Sequence, residues 1–264
     1  MTTSTIDKLS ILLVEPSKAQ KKLIEGFLHR LGVEQVKTLQ TAQDALQALK
    51  NSTPDIVISA MHLADLTGTE LLESIRHGDV QPDIPFMLIS SETHYRYLEP
   101  IRQAGAIAIV PKPFELEQLR TALYAALDYL DPGELQTGHI SHEDLKVLLV
   151  DDSSLSRRHI HRVLTAMGIE QITEAENGQQ AFDLVQGNYF DLIVTDLYMP
   201  EMDGKEFVEH VRQDSDQPSV PILMVSSESD ASRLAVVQQA GVSAMCDKPF
   251  ETSTIKQLIE NILN

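Results

Sequence analysis

The chain has 264 residues, a length that favours two domains of ordinary size over one unusually large domain. Its composition, 42% hydrophobic and 23% charged, is typical of globular proteins, and no apolar run reaches the roughly 20 residues of a membrane-spanning helix. The sequence begins MTTSTIDK, without the basic and apolar regions of a signal peptide, so a cytoplasmic location is predicted. The single cysteine, Cys246, excludes a disulfide within the chain.

The formal net charge of −18 is unevenly distributed along the chain. Residues 1–130 contain 12 Lys and Arg against 16 Asp and Glu, whereas residues 131–264 contain 9 against 23. Binding to a nucleic-acid backbone requires clustered Lys and Arg, and neither half has such a cluster. The sequence therefore predicts protein partners, with no direct nucleic-acid binding and no membrane association.

The sequence contains an internal repeat, because residues 9–128 align with residues 145–264 at a constant shift of 136 positions without a gap. LSILLVEPS matches LKVLLVDDS, IPFMLISSE matches VPILMVSSE, and both copies contain QAG followed by KPFE. A period this long indicates duplicated domains, since solenoid repeats span roughly 20–50 residues. We predict domains at 1–130 and 145–264, joined by a linker at 131–144 that contains a Pro-Gly turn and no apolar periodicity.

Within each copy, short apolar runs alternate with longer amphipathic segments. The predicted strands of the second copy are, in chain order, KVLLV, QIT, DLIVTD, PILMVS and VSAMCD, and helical segments such as SRRHIHRVLTAM and EFVEHVRQD separate them. Such continuous apolar strands are typical of a parallel sheet that is buried on both faces. The predicted fold is α/β, with two doubly wound (βα)5 domains that each contain a parallel five-stranded sheet. Ligands of such folds bind beyond the carboxyl ends of the strands.

Polar side chains follow four predicted strands of the second copy: Asp151 and Asp152, Asp196, Ser226, and Lys248. Carboxylates that lie close together repel each other unless a proton or a cation intervenes, and an all-oxygen ligand set suits Mg²⁺. An aspartate beside bound Mg²⁺ can attack a phosphoryl group, whose charge a metal ion, an ammonium and a hydroxyl can neutralise together. The pattern therefore predicts phosphoryl transfer to an aspartate.

The second copy resembles the response-regulator receiver family, and within it the single-domain chemotaxis regulators, over the whole of residues 145–264. The resemblance rests on VDDS at 150–153, D-x-x-M-P-x-M-D-G at 196–204, Ser226, and KPF at 248–250. The intervals of 44, 30 and 22 residues that separate Asp152, Asp196, Ser226 and Lys248 are also similar to those of the family. The resemblance implies a flavodoxin-like domain with the strand order 2-1-3-4-5.

The resemblance implies that Asp196 is the phosphoacceptor and that Ser226 and Lys248 hold the phosphoryl oxygens. It implies that Asp152, Asp196 and the Tyr198 backbone carbonyl bind Mg²⁺ directly, and that Asp151 binds it through water.

Four further positions differ from or refine this assignment. The Lys248–Pro249 peptide bond is expected to be cis, as in the family. Tyr198 and Glu228 are expected to modulate the lifetime of the phosphorylated state. The Tyr198 ring would screen the phosphorus from water, whereas Glu228 would orient an attacking water molecule. Met245 stands where many receivers have an aromatic switch residue, so the resemblance does not extend to aromatic-coupled signalling.

The first copy lacks the residues of this chemistry. The shift of 136 places Glu15 and Pro16 at the acidic pair and Ala60 at the phosphoacceptor, whereas Ser90 and Lys112 are retained. Alanine cannot accept a phosphoryl group and the proline side chain offers no ligand oxygen, so neither phosphorylation nor Mg²⁺ binding is expected there. We interpret this copy as a pseudo-receiver with a regulatory or partner-binding surface, and a simple spacer is the alternative.

The chain is interpreted as a two-component response regulator that accepts a phosphoryl group from a histidine kinase or phosphotransfer protein and signals by contact with a downstream protein. It is not expected to be a turnover enzyme. No output domain follows Asn264, so the expected output surface is the last α-β-α face, about residues 230–263. Two alternatives are a non-phosphorylated scaffold, which the intact carboxylates disfavour, and an aspartate-nucleophile phosphohydrolase, for whose cap the gapless repeat leaves no room. The kinase, the target, the pathway and a homodimer are left open.

Overall fold

The computed structural model describes residues 5–92, 94–136, 142–226, 231–248 and 252–264. The chain divides into two compact units, Met1–Asp131 and Pro132–Asn264. Each unit contains one five-stranded parallel sheet with a helix between successive strands, which confirms the predicted fold class. Among the described residues, no helix is both long enough and apolar enough to cross a bilayer.

The first unit begins with a short 3-10 helix at Ile6–Lys8. Its strands are β1 Ser10–Val14, β2 Gln35–Leu39, β3 Ile56–Ala60, β4 Phe86–Ser90 and β5 Ala108–Pro111. Its helices are α1 Lys18–Arg30, α2 Ala42–Asn51, α3 Gly68–Arg76, α4 Tyr95–Gln103 and α5 Leu116–Leu130.

The second unit has a 3-10 turn at His142–Asp144 and then repeats the same succession. Its strands are β6 Lys146–Val150, β7 Gln171–Ala175, β8 Leu192–Thr195, β9 Ile222–Ser226 and β10 Ala244–Asp247. Its helices are α6 Ser154–Ala166, α7 Gly178–Gly187, α8 Gly204–Asp214, α9 Ala231–Gln239 and α10 Thr252–Leu263. All five predicted strands of this copy are present, each with both ends within two residues of the expected run.

The strand order is β2-β1-β3-β4-β5 in the first sheet and β7-β6-β8-β9-β10 in the second, as the resemblance implied. In the second sheet the register pairs Val150 with Thr195, so β6 and β8 end side by side. The residues that follow these strands, Asp151 and Asp196, therefore leave the sheet at the same edge. This edge is the carboxyl edge of a doubly wound sheet, and β6 and β8 lie on either side of the point at which the strand order reverses.

The apolar strand sequences are explained by their burial. The central strands β8 and β9 are buried along their whole length, as expected for strands that helices cover on both faces. The edge strand β7, with sequence QITEA, is buried only at Ala175, and this partial exposure explains its shorter apolar signal. Burial of the central strands provides a rigid support for the residues at their carboxyl ends.

Side-chain caps fix where several helices begin, and they repeat at the shift of 136. Ser17 accepts a hydrogen bond from the Gln20 amide at the start of α1, and Ser153 accepts one from the Ser156 amide at the start of α6. Asp203 accepts from the Glu206 amide and begins α8. These caps set the ends of the loops that follow β6 and β8.

The segment at residues 132–136, which lies within the predicted linker, packs on the second unit. Leu135 is buried, and its amide donates a 3.1 Å hydrogen bond to the Met167 carbonyl at the end of α6. The Gln136 amide donates to the Glu260 carboxylate of α10 at 2.9 Å, and Asn264 donates through its side-chain amide to the Gln136 carbonyl at 3.1 Å. This segment is thus part of the second unit, up to residue 136.

Candidate functional site

Five polar side chains lie at the carboxyl edge of the second sheet. They follow or end four strands: Asp151 and Asp152 after β6, Asp196 after β8, Ser226 at the end of β9, and Lys248 after β10. All except Asp152, which is exposed, are at most 5% exposed. The site is therefore a buried cluster of charges with one carboxylate at its open side.

A tight backbone approach shapes the loop between β8 and α8. A Cβ atom at Gly204 would lie 2.0 Å from the Asp196 carbonyl oxygen, so only glycine fits where α8 begins. The Gly204 amide donates to the Leu197 carbonyl at 2.8 Å, and the Thr195 hydroxyl donates to the Asp196 carbonyl at 3.0 Å. These contacts hold the backbone on both sides of the Asp196 side chain.

The Asp151 carboxylate is fully buried and accepts three hydrogen bonds. One oxygen, Oδ1, accepts from the Ser153 amide at 2.9 Å. The other, Oδ2, accepts from the Ser156 hydroxyl at 2.6 Å and from Lys248 Nζ at 2.8 Å. These bonds fix the orientation of the carboxylate.

Lys248 and Asp196 form the second charged pair of the site. Lys248 Nζ lies 3.4 Å from Asp196 Oδ1, so the ammonium group contacts both buried aspartates. Burial alone lowers the pKa of Lys248, but the carboxylates of Asp151 and Asp196 outweigh burial and raise this pKa above its usual value. Burial raises the pKa of Asp196 from 3.8 to about 6; Lys248 lowers it in part and the Asp151 charge raises it further.

The carboxylates of Asp151, Asp152 and Asp196 form an acidic cluster. One oxygen of each residue lies within 4.8 Å of the corresponding oxygen of the other two. Lys248 balances one of the three negative charges, so two remain uncompensated at neutral pH when all three groups are ionised. Closely spaced carboxylate oxygens with this charge excess fit a hard divalent cation.

The comparison with known families agrees with this geometry. The profile of the response regulator receiver domain matches residues 11–124 and again residues 147–260. The chain belongs to the response regulator receiver family. It contains two receiver domains in tandem, one in each compact unit, and the family assignment made from the sequence motifs is confirmed.

Chemotaxis regulators are among the similar proteins. A chemotaxis protein CheY homologue of Campylobacter jejuni is 38% identical over 120 residues, which are 45% of this chain and 92% of that protein. The chemotaxis protein CheY-3 of Vibrio cholerae is 32% identical over 123 residues, 47% of this chain and 95% of that protein. The solved structure of the Vibrio cholerae chemotaxis protein CheY4 is 33% identical and covers 45% of this chain and 98% of its own, with a TM-score of 0.42.

The remaining predicted site residues of the second receiver lie in different surroundings. Tyr198, two residues after Asp196, is 46% exposed. Met245 lies within β10, where it is partly buried and packs against the core of the unit. Glu228, Pro249 and Phe250 lie outside the described residues, and so does the Lys248–Pro249 peptide bond.

An ion pair lies at the corresponding edge of the first receiver. Lys112 Nζ lies 3.1 Å from Glu15 Oε2, and Glu15 is 3% exposed. The second oxygen of Glu15 accepts from the Ser17 amide at 2.9 Å, as Asp151 accepts from the Ser153 amide. Glu15 therefore takes the place of Asp151.

The two other lost positions of the first receiver are Pro16 and Ala60, and Ala60 is buried at the end of β3. No group of three metal-binding side chains occurs in the described residues of this receiver. In the last loop of this receiver, the Lys112–Pro113 peptide bond is cis.

Sequence reasoning missed a polar network beside the acidic cluster. The sequence predicts only an amphipathic helix for SRRHIHRVLTAM, yet Arg157 within it is 9% exposed and donates to the Asp151 carbonyl at 2.7 Å. A signal for this burial existed. Arg157 lies three and seven residues before the buried Ile160 and Leu164, so helical periodicity places it on the core-facing side of α6.

Proposed function

We propose that this protein is a two-component response regulator in which the second receiver accepts a phosphoryl group on Asp196. The observation that carries the proposal is the convergence of Asp196 with two further carboxylates and a buried lysine beyond the carboxyl edge of the sheet. The first receiver has an alanine at the corresponding place and lacks this arrangement. The donor is a histidine kinase or a phosphotransfer protein, as the family membership suggests.

In the proposed reaction, an Asp196 carboxylate oxygen attacks the phosphorus of a phosphohistidine. The new O–P bond forms as the P–N bond breaks, and the departing imidazole keeps the electron pair and takes a proton from solvent. Asp196 must be ionised to attack, and a pKa of about 6 leaves it largely ionised at neutral pH. Lys248 and the Ser226 hydroxyl hold the phosphoryl oxygens, and Lys248 Nζ is already 3.4 Å from the attacking group.

Mg²⁺ is the proposed cofactor. Asp152, Asp196 and the Tyr198 backbone carbonyl would bind it directly. The Asp151 oxygens already accept three hydrogen bonds, which suits contact through water only. When bound, Mg²⁺ supplies positive charge that offsets the excess of carboxylates and of phosphoryl oxygens.

We further propose that the first receiver is a pseudo-receiver that serves as a regulatory or partner-binding module. Its Glu15–Lys112 pair balances its own charge, and its Ala60 cannot form a phosphoester or an acyl phosphate. The protein then promotes only its own phosphorylation and dephosphorylation, and its output is a contact between a receiver surface and a downstream protein. This output surface is proposed to be the last α-β-α face of the second receiver.

Acetyl phosphate provides a direct test, because it donates phosphoryl groups without a kinase. We expect incubation of the full chain with acetyl phosphate and Mg²⁺ to add one phosphoryl group per chain, as measured by intact mass. Asp196→Ala should remove this label completely. Asp183→Ala, which changes an exposed aspartate on α7, should keep it. Two groups per chain, or full labelling of Asp196→Ala, would contradict the proposal.

A further inference from the structure

A buried arginine links the acidic cluster to the neighbouring strand β7. Arg157 Nη1 donates to the Asp151 carbonyl at 2.7 Å, while Nε donates to Glu174 at 2.8 Å and Nη2 to Glu176 at 3.2 Å. The His161 ring lies 2.7 Å from the other Glu174 oxygen. The guanidinium group is thus held by two carboxylates and directs one of its donors to the backbone of the site.

The bond from Arg157 reaches the peptide unit between the two acidic residues of the cluster. The Asp151 amide donates to the Ala175 carbonyl of β7 at 3.2 Å, and the Asp151 carbonyl accepts from Arg157. Because a peptide unit is planar and rigid, a fixed Asp151 carbonyl also fixes the direction in which Asp152 continues. Asp152 is the exposed member of the cluster, and within the described part of the chain its carboxylate accepts no hydrogen bond, so its position depends on this backbone.

A second contact restrains the side chain of Asp151. Ser156 directly precedes Arg157 in α6, and its hydroxyl donates to Asp151 Oδ2 at 2.6 Å. The same oxygen accepts from Lys248. Two neighbouring residues of α6 therefore hold Asp151 by its side chain and by its carbonyl.

The internal repeat separates this network from contacts that only support the fold. The shift of 136 places different residues at all four network positions of the first receiver: Gln20 for Ser156, Lys21 for Arg157, Thr38 for Glu174, and Gln40 for Glu176. Arg212, by contrast, has the counterpart Arg76, and both donate to backbone carbonyls at the amino edge of their sheets. The network is absent from the receiver that lacks the chemistry, while the structural arginine is present in both.

We propose that Arg157 is a positioning residue for the carboxylate pair Asp151–Asp152 and thereby sets the affinity of the second receiver for Mg²⁺. This inference rests on the proposed function. The side chain of Arg157 contacts the Asp151 carbonyl and two carboxylates outside the acidic cluster. It acts through the Asp151 carbonyl, and Glu174 and Glu176 hold it in place.

The test compares two arginine substitutions in the full-length chain. We expect Arg157→Met to weaken Mg²⁺ binding about tenfold, as measured by isothermal titration calorimetry, because loss of an outer contact to a metal ligand typically has this effect. The rate of labelling by acetyl phosphate should fall at low Mg²⁺ and return toward the wild-type rate at saturating Mg²⁺. The matched control Arg212→Met should lower the unfolding temperature without changing either the Mg²⁺ affinity or the labelling rate.

A milder double variant covers the case in which Arg157→Met does not fold. Glu174→Gln with Glu176→Gln removes the anchors of Arg157 on the partly exposed side and leaves its bond to Asp151 available. We expect a loss of Mg²⁺ affinity of about two- to fourfold, smaller than the roughly tenfold effect of losing an outer contact outright, because the bond from Arg157 to Asp151 can still form.

The outcomes separate this inference from the proposed function. If both sets of variants bind Mg²⁺ as the wild type does, the inference is wrong, even when the unfolding temperature falls. A labelling defect of Arg157→Met that persists at saturating Mg²⁺ would also overturn it. If the wild-type chain itself neither binds Mg²⁺ nor takes a label, the proposed function fails first.

Discussion

The two receivers share their polar contacts at the amino edge of the sheet and differ at the carboxyl edge. Gln81 and Gln217 each donate to two carbonyls at the end of the preceding crossover, at 2.8 and 2.9 Å in the first receiver and at 2.6 and 3.0 Å in the second. Asp55 and Asp191 each accept a hydrogen bond from the backbone amide of the residue that begins the first strand of their sheet. These contacts connect loops and strands that both folds require.

At the carboxyl edge, the backbone is similar but the side chains are not. Ser59 donates to the Ala60 carbonyl at 2.9 Å as Thr195 donates to the Asp196 carbonyl at 3.0 Å. A Cβ atom at Gly68 would lie 2.6 Å from the Ala60 carbonyl, so the close approach of the next helix is also retained. The comparison shows that the support of the site was kept in the receiver whose reactive groups were replaced.

The difference is one of charge. At the positions of the acidic cluster and its lysine, the first receiver carries one carboxylate and one ammonium, Glu15 and Lys112, which balance. The edge of the second carries three carboxylates and one ammonium. The first arrangement is stable without a cation, whereas the second is strained by repulsion until a cation or a proton arrives.

The largest expected effect concerns restoration of the reaction in the first receiver. In a chain that also carries Asp196→Ala, Ala60→Asp alone should leave labelling by acetyl phosphate at least about 100-fold below the wild type, since Pro16 still provides no carboxylate. Adding Glu15→Asp and Pro16→Asp should return measurable Mg²⁺-dependent labelling. Intact mass after timed incubation measures both. Full labelling by Ala60→Asp alone would mean that the acidic pair is not what this receiver lacks.

The next expected effect is on stability, when each of the two lysines is replaced separately. Lys248→Met leaves buried carboxylates unpaired, because the lysine and its partners Asp151 and Asp196 are at most 6% exposed, and this should reduce the free energy of unfolding by about 3–5 kcal/mol. Lys112→Met should cost only about 1–2 kcal/mol, since the Lys112 side chain is 22% exposed and water can replace it.

Urea denaturation with and without Mg²⁺ measures this difference. Saturating Mg²⁺ should recover part of the loss in Lys248→Met and none of the loss in Lys112→Met. Equal losses in the two variants, or recovery of both by Mg²⁺, would show that the two edges do not differ in charge balance.

The raised pKa of Asp196 predicts that the difference in stability between the wild type and Asp196→Asn depends on pH. This pKa is raised from 3.8 to about 6 by burial, so the folded state binds the proton more tightly than the unfolded state. The contribution of Asp196 to stability is therefore most favourable below about pH 4 and is lost as the pH rises through 6. Asparagine does not titrate, so the stability of Asp196→Asn relative to the wild type should grow by on the order of 2–3 kcal/mol between pH 4 and pH 7.

The measurement is the free energy of unfolding of both chains across this pH range in the presence of a chelator. Because titrating groups distant from Asp196 are common to both chains, their contributions cancel in the difference. Saturating Mg²⁺ should abolish the gain at neutral pH, since the ionised carboxylate then has a partner. A difference that does not change with pH would refute the raised pKa.

The fold and the cluster of strand-end residues were accessible from the sequence for a physical reason. Strands buried on both faces have continuous apolar runs, so the polar residue that ends each run, such as Asp196, marks the carboxyl edge. The gapless repeat then located Ala60 at the same place in the first copy. Assignment of roles to these residues stays a prediction.

Contacts between distant parts of the chain were not accessible in this way. Nothing local in the sequence relates Arg157 to Glu174 and Glu176, because their contact depends on how α6 lies over β7. The Glu15–Lys112 pair joins residues that are 97 positions apart, and the sequence indicated only that the acidic pair was lost. The missed features are thus those that only tertiary packing creates.

The smallest expected effect concerns the lifetime of the phosphorylated state. Tyr198 lies two residues after Asp196 and is 46% exposed, so its ring is expected to screen the phosphorus from water that attacks in line with the Asp–phosphorus bond. Tyr198→Asn should therefore speed dephosphorylation by roughly three- to tenfold, a change in barrier of about 1 kcal/mol. Tyr189→Asn is the matched control, because that tyrosine is 70% exposed and precedes β8 at the opposite edge of the sheet. Decay of the phosphorylated chains is followed by intact mass with Mg²⁺ present. If Tyr198→Asn decays no faster than the wild type, access of water at this position does not set the lifetime.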